Sequence, residues 1–210
     1  MKEIEATNLY GKGHEQQKKR PYLAIYEDAN YFLAFPKTTK SKGGKEYPSH
    51  KNLILDNKIE IMIDQLSIIP RINTSIKDLS GWQIKLQQLS CDSTDKKIVF
   101  EHFCKFVIMQ DKEASQTCQV RFGDIIELKH SNPLLTNKQH FIVLSSGIFH
   151  QSRMCCIAPY NQESGNIDYA LLHCIDYEAR KITKIDNKKC LKKDEIINEI
   201  KILFLGNQNV

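Results

Sequence analysis

The sequence predicts an α+β protein, mainly β, in which short strands outnumber helices. Most apolar runs are about five residues long and lie between turn-forming residues, as Tyr22–Tyr26 and Tyr31–Phe35 do around Glu27–Asn30. Two other segments place their apolar residues at helical spacing. The order of these segments also repeats once along the chain, so we expect two similar halves.

The first half, residues 1–112, leaves room for only a short first strand in residues 1–12. The hairpin follows, and further strands are predicted at Leu53–Leu55 and Ile59–Ile63, around the turn Asp56-Asn57. Apolar residues continue from Ile68 to Ile76 with a break at Pro70.

A helix is predicted at the end of this half. Asp92-Ser93 offers an N-cap, which would satisfy free backbone N–H groups of the first turn. The apolar residues that follow lie at positions i, i+4, i+7 and i+8: Val99, Phe103, Phe106 and Val107. This spacing is typical of an amphipathic helix.

The second half, residues 113–210, repeats this pattern after a polar linker at 110–119. Strands are predicted at Phe122–Leu128, Phe141–Ser145, Met154–Ala158 and Tyr169–Ile175. A last helix starts near Lys192–Glu195 and carries one apolar face: Ile196, Ile197, Ile200, Leu203 and Phe204. We therefore predict two domains, 1–112 and 113–210, with a repeat period of roughly 110–120 residues.

The composition is that of a globular protein, with 26% charged and 41% hydrophobic residues among 210. The net charge of +5 is uneven, because residues 1–112 hold 18 Lys and Arg against 14 Asp and Glu. The rest of the chain holds 12 against 11. Five lysines, Lys37, Lys40, Lys42, Lys45 and Lys51, face only Glu46 in one segment, which suits a solvated loop or attraction of a nucleic acid.

The cysteines favour a reducing compartment. There are seven, an odd number, without a Cys-x-x-Cys pair, so we expect small buried hydrophobic residues and no disulfide framework. The sequence starts without a signal peptide and has no apolar run of about 20 residues, which predicts a cytoplasmic protein with no membrane partner. His130, His140 and His150 lack metal-ligand spacing, and neither a metal nor another cofactor is expected.

Three segments of the first half concentrate polar chemistry. The first precedes the strand that starts at Tyr22 and reads Gly13-His14-Glu15-Gln16-Gln17-Lys18-Lys19-Arg20-Pro21. The second follows the next predicted strand and reads Pro36-Lys37-Thr38-Thr39-Lys40-Ser41-Lys42-Gly43. The third is the pair Asp64-Gln65. In the second half their places are taken by Gln139-His140, Ala158-Pro159-Tyr160 and His173-Cys174. The second half thus keeps the apolar skeleton and loses the polar residues, as expected of a structural partner.

These three segments, in this order and spacing, resemble the signature of the PemK/Kid and MazF toxins, which are ribosome-independent endoribonucleases of bacterial toxin–antitoxin pairs. The resemblance implies two small, strongly bent β-barrels, each with a C-terminal helix. Members of that family form homodimers with an RNA groove across the interface, so a tandem chain implies a monomeric pseudo-dimer. The implied partners are single-stranded mRNA and a cognate antitoxin protein.

The resemblance also implies site residues. The arginine and threonine that are catalytic in MazF-like members fall on Arg20 and Thr38, and the histidine and aspartate of PemK-like members fall on His14 and Asp64. The PemK-type arginine falls on Met62, which departs from the pattern, as does the missing Gly-Asp opening. Residues expected to contact RNA are Glu15, Gln16, Lys18, Lys19, Thr39, Lys40, Lys42 and Gln65.

These residue types suit RNA cleavage by the substrate's own 2′-hydroxyl group. Such cleavage needs a base for the hydroxyl proton, donors for the charge on the phosphate, and an acid for the leaving oxygen. Arg20 matches a phosphate bidentately, and Thr38 or Thr39 can donate a further hydrogen bond. His14 can serve as base or acid, with Glu15 and Asp64 as alternatives.

The sequence therefore predicts a sequence-selective, metal-independent endoribonuclease. One alternative is a catalytically inactive RNA- or protein-binding module of the same fold, which Met62 and the missing Gly-Asp opening favour. A toxin that binds a topoisomerase, like the CcdB relatives of the fold, is a second alternative that rests on fold analogy alone.

Overall fold

The computed structural model describes residues 1–38, 52–55, 60–75, 93–109, 120–145, 153–186 and 191–206. Its seven first-half strands are β1 (Lys2–Ala6), β2 (Arg20–Glu27), β3 (Tyr31–Thr38), β4 (Asn52–Ile54), β5 (Glu60–Met62), β6 (Ser67–Pro70) and β7 (Thr74–Ser75). The helix α1 (Ser93–Phe103) continues as a π-helical turn, Cys104–Ile108. The second half contains β8 (Ile125–Glu127), β9 (His140–Val143), β10 (Met154–Pro159), β11 (His173–Asp176), β12 (Thr183–Asp186) and the helix α2 (Lys193–Leu205).

The chain is thus a mixed α+β protein with two antiparallel sheets, as predicted. The first sheet has the order β4-β5-β3-β2-β1-β7, with β6 also paired to β3, and the second has the order β11-β10-β9-β8-β12. Within the described residues neither strand order closes on itself, and the first sheet branches at β3. The predicted turn at Asp56-Asn57 and the predicted linker at 110–119 lie outside the described residues.

The long strand β3 pairs with different neighbours at its two ends. Tyr31–Ala34 lie against β6, whereas Lys37 and Thr38 lie against β5. Its other side pairs with β2 in the predicted hairpin, which is closed by a hydrogen bond from the Asp28 amide to the Tyr31 carbonyl. The end of β3 therefore connects β2 to the short strands β5 and β4.

One predicted strand is wrong in its first half. Tyr169–Leu171 forms a 3₁₀ turn, and the strand starts only at His173. Local hydrogen bonds favour the turn, because the amides of Leu171 and Leu172 donate to the carbonyls of Asp168 and Tyr169. Tertiary contact also holds it, since the Tyr31 hydroxyl donates to the Ala170 carbonyl at 2.7 Å.

Among the described residues, one large hydrophobic core extends through both halves, and a second, smaller cluster lies within the first half. Phe204 of α2 packs on Phe103 of α1 and on Phe35 of the first sheet, with ring centroids 5.4 and 6.1 Å apart. The buried residues of α2, Ile196, Ile200 and Phe204, lie on the predicted face. Val99, Phe103 and Val107 are buried as predicted, while Phe106 stays half-buried. Burial of this shared apolar surface is the main force that joins the halves.

A backbone hydrogen bond also joins the two halves. The Cys174 amide of β11 donates to the carbonyl of Leu66 at 2.8 Å. Leu66 follows Asp64-Gln65, and His173-Cys174 takes the place of that pair in the repeat. Corresponding segments of the two halves therefore meet at their junction.

The described cysteines Cys104, Cys155, Cys156 and Cys174 are buried, as expected, and none of them forms a disulfide bond with another described cysteine. Burial raises the pKa of the Cys104 thiol to about 12. None of the helices in the described ranges combines the length and apolar composition that a membrane crossing requires.

Candidate functional site

The strand ends of β2 and β3 bring Arg20 and Thr38 to neighbouring positions. β2 begins at Arg20 and β3 ends at Thr38, and the antiparallel register pairs Tyr22 with Pro36. Continuing that register by two residues sets Arg20 opposite Thr38. The two motif residues, 18 positions apart in sequence, thus share one face of the sheet.

The side chain of Arg20 is half-buried on this face. Its Nη1 lies 3.9 Å from the Met62 sulfur, and its Nε is buried with no hydrogen-bond partner among the described residues. Tyr22, next on the same face, is fully buried, and its hydroxyl likewise lacks a partner in the described part of the chain. Burial raises the pKa of Tyr22 to about 12, and the Arg20 charge opposes that shift. Arg20 as a whole is only half-buried, and an arginine guanidinium matches the geometry of a phosphate.

His14 lies in a different contact group, at the junction of the two halves. Its ring is exposed, and its backbone amide donates to Asp176 Oδ2 at 2.8 Å. It lines a cleft of about 420 Å³ together with Arg153 and Glu178 of the second half. Among the described residues, no hydrogen bond or ion pair joins His14 to Arg20.

Gly13 explains how this loop docks on the second half. Its φ is +56°, a conformation that glycine adopts readily. A Cβ atom there would lie 2.3 Å from Asp176 Oδ2 and 2.5 Å from the Ala179 Cβ. The first residue of the signature is therefore required for a close approach between the halves.

Glu15 is placed differently from the prediction. Its carboxylate is buried and accepts two hydrogen bonds from Arg180, Nε to Oε1 at 2.7 Å and Nη2 to Oε2 at 2.5 Å. The amides of Asp176 and Lys12 donate to the same oxygens. Burial raises the pKa of Glu15, and Arg180 acts in the opposite direction. Glu15 thus ties the loop to the second half through a carboxylate that is buried and engaged by Arg180, and this placement does not favour the predicted RNA contact.

Asp64 and Gln65 are also buried. The turn after β5 contains both residues, and their exposed fractions are 0% and 1%. The Gln65 amide donates to the Met62 carbonyl at 3.1 Å, which closes this turn against β6. A direct RNA contact by Gln65 does not fit this burial, and Asp64 could act on RNA only after the turn moved.

The predicted basic surface is placed only in part. Lys18 and Lys19 are exposed, and Lys19 pairs with Glu5 at 2.8 Å, while Gln16 is half-buried. Lys37 is wrongly grouped with the solvated lysines, because it is buried in an ion pair with Glu3 at 2.5 Å. The expected RNA contacts Thr39, Lys40 and Lys42 lie outside the described residues, as do Lys45 and Lys51.

A buried histidine pair at the junction was not predicted. His130 and His173 meet Nε2 to Nε2 at 3.1 Å. His130 Nδ1 accepts from the Asn132 amide and His173 Nδ1 bonds the Leu171 carbonyl, so His130 is the donor in the pair. Burial lowers the pKa of His130 to about 2 and that of His173 to about 4. Both rings line a cavity of about 20 Å³ between the halves, which has room for one water molecule.

The sequence signal for this pair was the replacement of Asp64 by His173 in the second half. Its partner His130 is 43 residues away, and no local pattern connects the two. Among the described residues, no group of three or more His, Cys, Asp or Glu side chains is arranged to hold a metal ion.

The second half has a groove at the ends of β9 and β10, the strands that correspond to β2 and β3 of the first half. β9 and β10 pair Phe141 with Pro159, as β2 and β3 pair Tyr22 with Pro36. The same register sets Gln139 opposite Asn161. The sequence comparison aligned Thr38 with Tyr160, whereas the strand register aligns Thr38 with Asn161, one residue later. A groove of about 680 Å³, here called the second-half groove, is lined by residues Asn137–His140, Pro159–Ser164 and Asn166–Asp168.

Comparisons of this chain with protein-family models, with curated proteins and with solved structures find no match.

Proposed function

We propose that this protein is a metal-independent, sequence-selective endoribonuclease for single-stranded RNA, acting as the toxin of a toxin–antitoxin pair. The observation that carries the proposal is the placement of the half-buried Arg20 at the start of β2 and of Thr38 at the end of the neighbouring strand β3. The Arg20 guanidinium can bind a phosphodiester there. The resemblance of the surrounding signature to PemK and MazF toxins supports the same function.

In this proposal the 2′-oxygen of the RNA attacks the adjacent phosphorus and the bond from phosphorus to the 5′-oxygen breaks. The products are a 2′,3′-cyclic phosphate and a 5′-hydroxyl group. Arg20 binds the non-bridging oxygens, whose charge grows in the transition state, and Thr38 donates a hydroxyl hydrogen bond to them. A base takes the 2′-hydroxyl proton, and an acid protonates the 5′-oxygen.

His14 is the candidate for proton transfer that the geometry favours. Of the three residues considered, Glu15 and Asp64 are buried, and Glu15 is also engaged by Arg180. His14 is exposed on the cleft between the halves. To act on the phosphodiester that Arg20 binds, the His14 ring has to come within hydrogen-bond reach of the 2′-hydroxyl group of the same nucleotide, directly or through one water molecule.

Finer structural and cellular features belong to the same proposal. Each open sheet would correspond to one strongly bent barrel of the MazF or CcdB kind, and the chain to a monomeric pseudo-dimer. An mRNA substrate and buried cysteines that form no disulfide bond with one another in the described residues fit a cytoplasmic location. The antitoxin would bind the exposed basic surface that includes Lys18.

The test is an analysis of cut RNA ends. The purified protein is incubated with long single-stranded RNA in excess EDTA, and the ends are identified chemically and by sequencing. The expected result is cleavage at a preferred sequence with 2′,3′-cyclic phosphate and 5′-hydroxyl ends. Strict magnesium dependence with 5′-phosphate ends would reject the mechanism. RNA binding without cleavage would favour the catalytically inactive binding module. Met62, which stands where PemK-like toxins have an arginine, favours the same alternative.

A further inference from the structure

The second-half groove is built at the same strand ends as the Arg20 site but with different chemistry. Extending the strand registers that end at Phe141–Pro159 and Tyr22–Pro36 makes Gln139 the counterpart of Arg20 and Asn161 the counterpart of Thr38. Both residues line the groove. A cation and a hydroxyl group are thus replaced by two amides, which carry no charge.

Tyr160 gives the groove an aromatic wall. The residue is half-buried, packs against the hydrophobic core and also lines the groove. Its backbone amide donates to the His140 carbonyl at 2.9 Å, which fixes the strand that carries the ring. An aromatic ring held in this way is suited to stack on the flat face of a base.

The rim of the groove is also fixed. Asn161 Oδ1 accepts hydrogen bonds from the amides of Glu163 and Ser164 at 2.9 and 3.0 Å. The Gly165 amide donates to the Asn161 carbonyl at 2.8 Å. A rim of this kind loses little conformational entropy when a ligand binds.

The charges of the groove argue against a phosphate as its main ligand. Glu163 and Asp168 line it together with Lys138 and His140, so positive charge is not in excess. Amides and carboxylates instead match the donors and acceptors on the edge of a nucleobase, and the volume is within the range of small-molecule sites.

We propose that the second-half groove binds an unpaired nucleobase of the RNA, with Tyr160 stacking on it and Gln139 and Asp168 contacting its edge. That the ligand is RNA rests on the proposed function, whereas the groove and its lining residues are observed independently of it. The second half then helps to select the RNA sequence in addition to supporting the fold.

The test measures RNA binding separately from cleavage. A short, fluorescently labelled 2′-O-methyl RNA of mixed sequence lacks the attacking hydroxyl group, so its affinity can be measured by anisotropy without turnover. Tyr160→Ala should weaken binding roughly five- to a hundred-fold, and Tyr160→Phe should keep most of the affinity because the ring remains. Tyr169→Ala is the matched control, since Tyr169 is a half-buried tyrosine of the same half that does not line the groove.

The outcomes separate the two proposals. Equal affinities for wild type and Tyr160→Ala would overturn the groove assignment and leave the nuclease proposal standing. A large Tyr160 effect without cleavage of natural RNA would support the groove and overturn the nuclease. No binding by the wild type would overturn both. Photocrosslinking of 5-iodouridine-substituted RNA should label Tyr160, and labels confined to the first half would count against the groove.

Discussion

Glu15 and Arg180 form a buried, bidentate ion pair that joins the loop before β2, which contains Gly13 and His14, to the second half. Both side chains are almost completely buried, with exposed fractions of 5% and 3%. The loop that carries His14 is therefore positioned by the second half. This gives the second half a role in positioning the candidate site although its own polar signature is lost.

Glu15→Gln should lower the free energy of unfolding by about 3–5 kcal/mol, because it leaves the Arg180 guanidinium buried without its counter-ion. Urea unfolding at neutral pH measures this change. The matched control is Glu178→Gln, which breaks the half-exposed pair of Arg153 and Glu178 and should cost no more than about 1 kcal/mol. Similar losses for both variants would show that the Glu15 pair is not buried as described.

Gly13→Ala should destabilise the protein more than Gly206→Ala. Both glycines have positive φ, +56° and +76°, so alanine is strained at each by about 1–3 kcal/mol. At Gly206 none of the described residues lies within 4 Å of the added Cβ, whereas at Gly13 it would meet Asp176. That overlap should add about 1–3 kcal/mol. Equal destabilisation in urea unfolding would contradict the close docking of the loop.

Local features of the fold were predictable from the sequence, whereas the contacts at the junction were not. Periodicity located both helices and the β2–β3 hairpin, because those signals come from residues near each other in the chain. Gly13 and Glu15 were recognised as part of a signature, but their roles depend on Asp176 and Arg180, more than 160 residues away. No local pattern encodes such a contact. The one-residue shift between the halves was likewise visible only from strand register.

The stability should fall as the pH is lowered below about 6.5, through the buried histidine pair. The pKa of His173 is lowered from 6.5 to about 4 in the folded state, and that of His130 to about 2. At a pH between a histidine's folded-state pKa and 6.5, the unfolded chain binds more protons than the folded chain does. Lowering the pH through this range therefore favours unfolding. Each histidine adds a slope of up to about 1.4 kcal/mol per pH unit.

Urea unfolding from pH 6.5 to 5 measures this slope, before most carboxylates titrate. His173→Gln should reduce the slope, because it removes one of the two groups. His102→Gln in α1 is the control and should leave the slope near that of wild type, since His102 lies outside the junction. An unchanged slope in His173→Gln would mean that the pair is hydrated and exposed in solution.

The protein should be a monomer in solution. The core is continuous through both halves of one chain, and Leu66 and Cys174 bond across the junction. A covalently attached second half has an effective concentration of roughly millimolar, so the interface should close within the chain. Light scattering at micromolar concentration should give a mass near 24.3 kDa. A stable dimer that buries the same surface between chains would contradict the pseudo-dimer.

The most direct test compares Arg20→Ala with Gln139→Ala in RNA cleavage. The two residues hold the same register position in the two halves, so the second variant is a matched control. Loss of preorganised charge stabilisation should lower the cleavage rate of Arg20→Ala about 10²–10³-fold. Gln139→Ala should change the rate constant at saturating RNA far less, with melting temperatures close to wild type for both. Equal losses in the two variants, or full activity in Arg20→Ala, would contradict Arg20 as the phosphate-binding residue of the site.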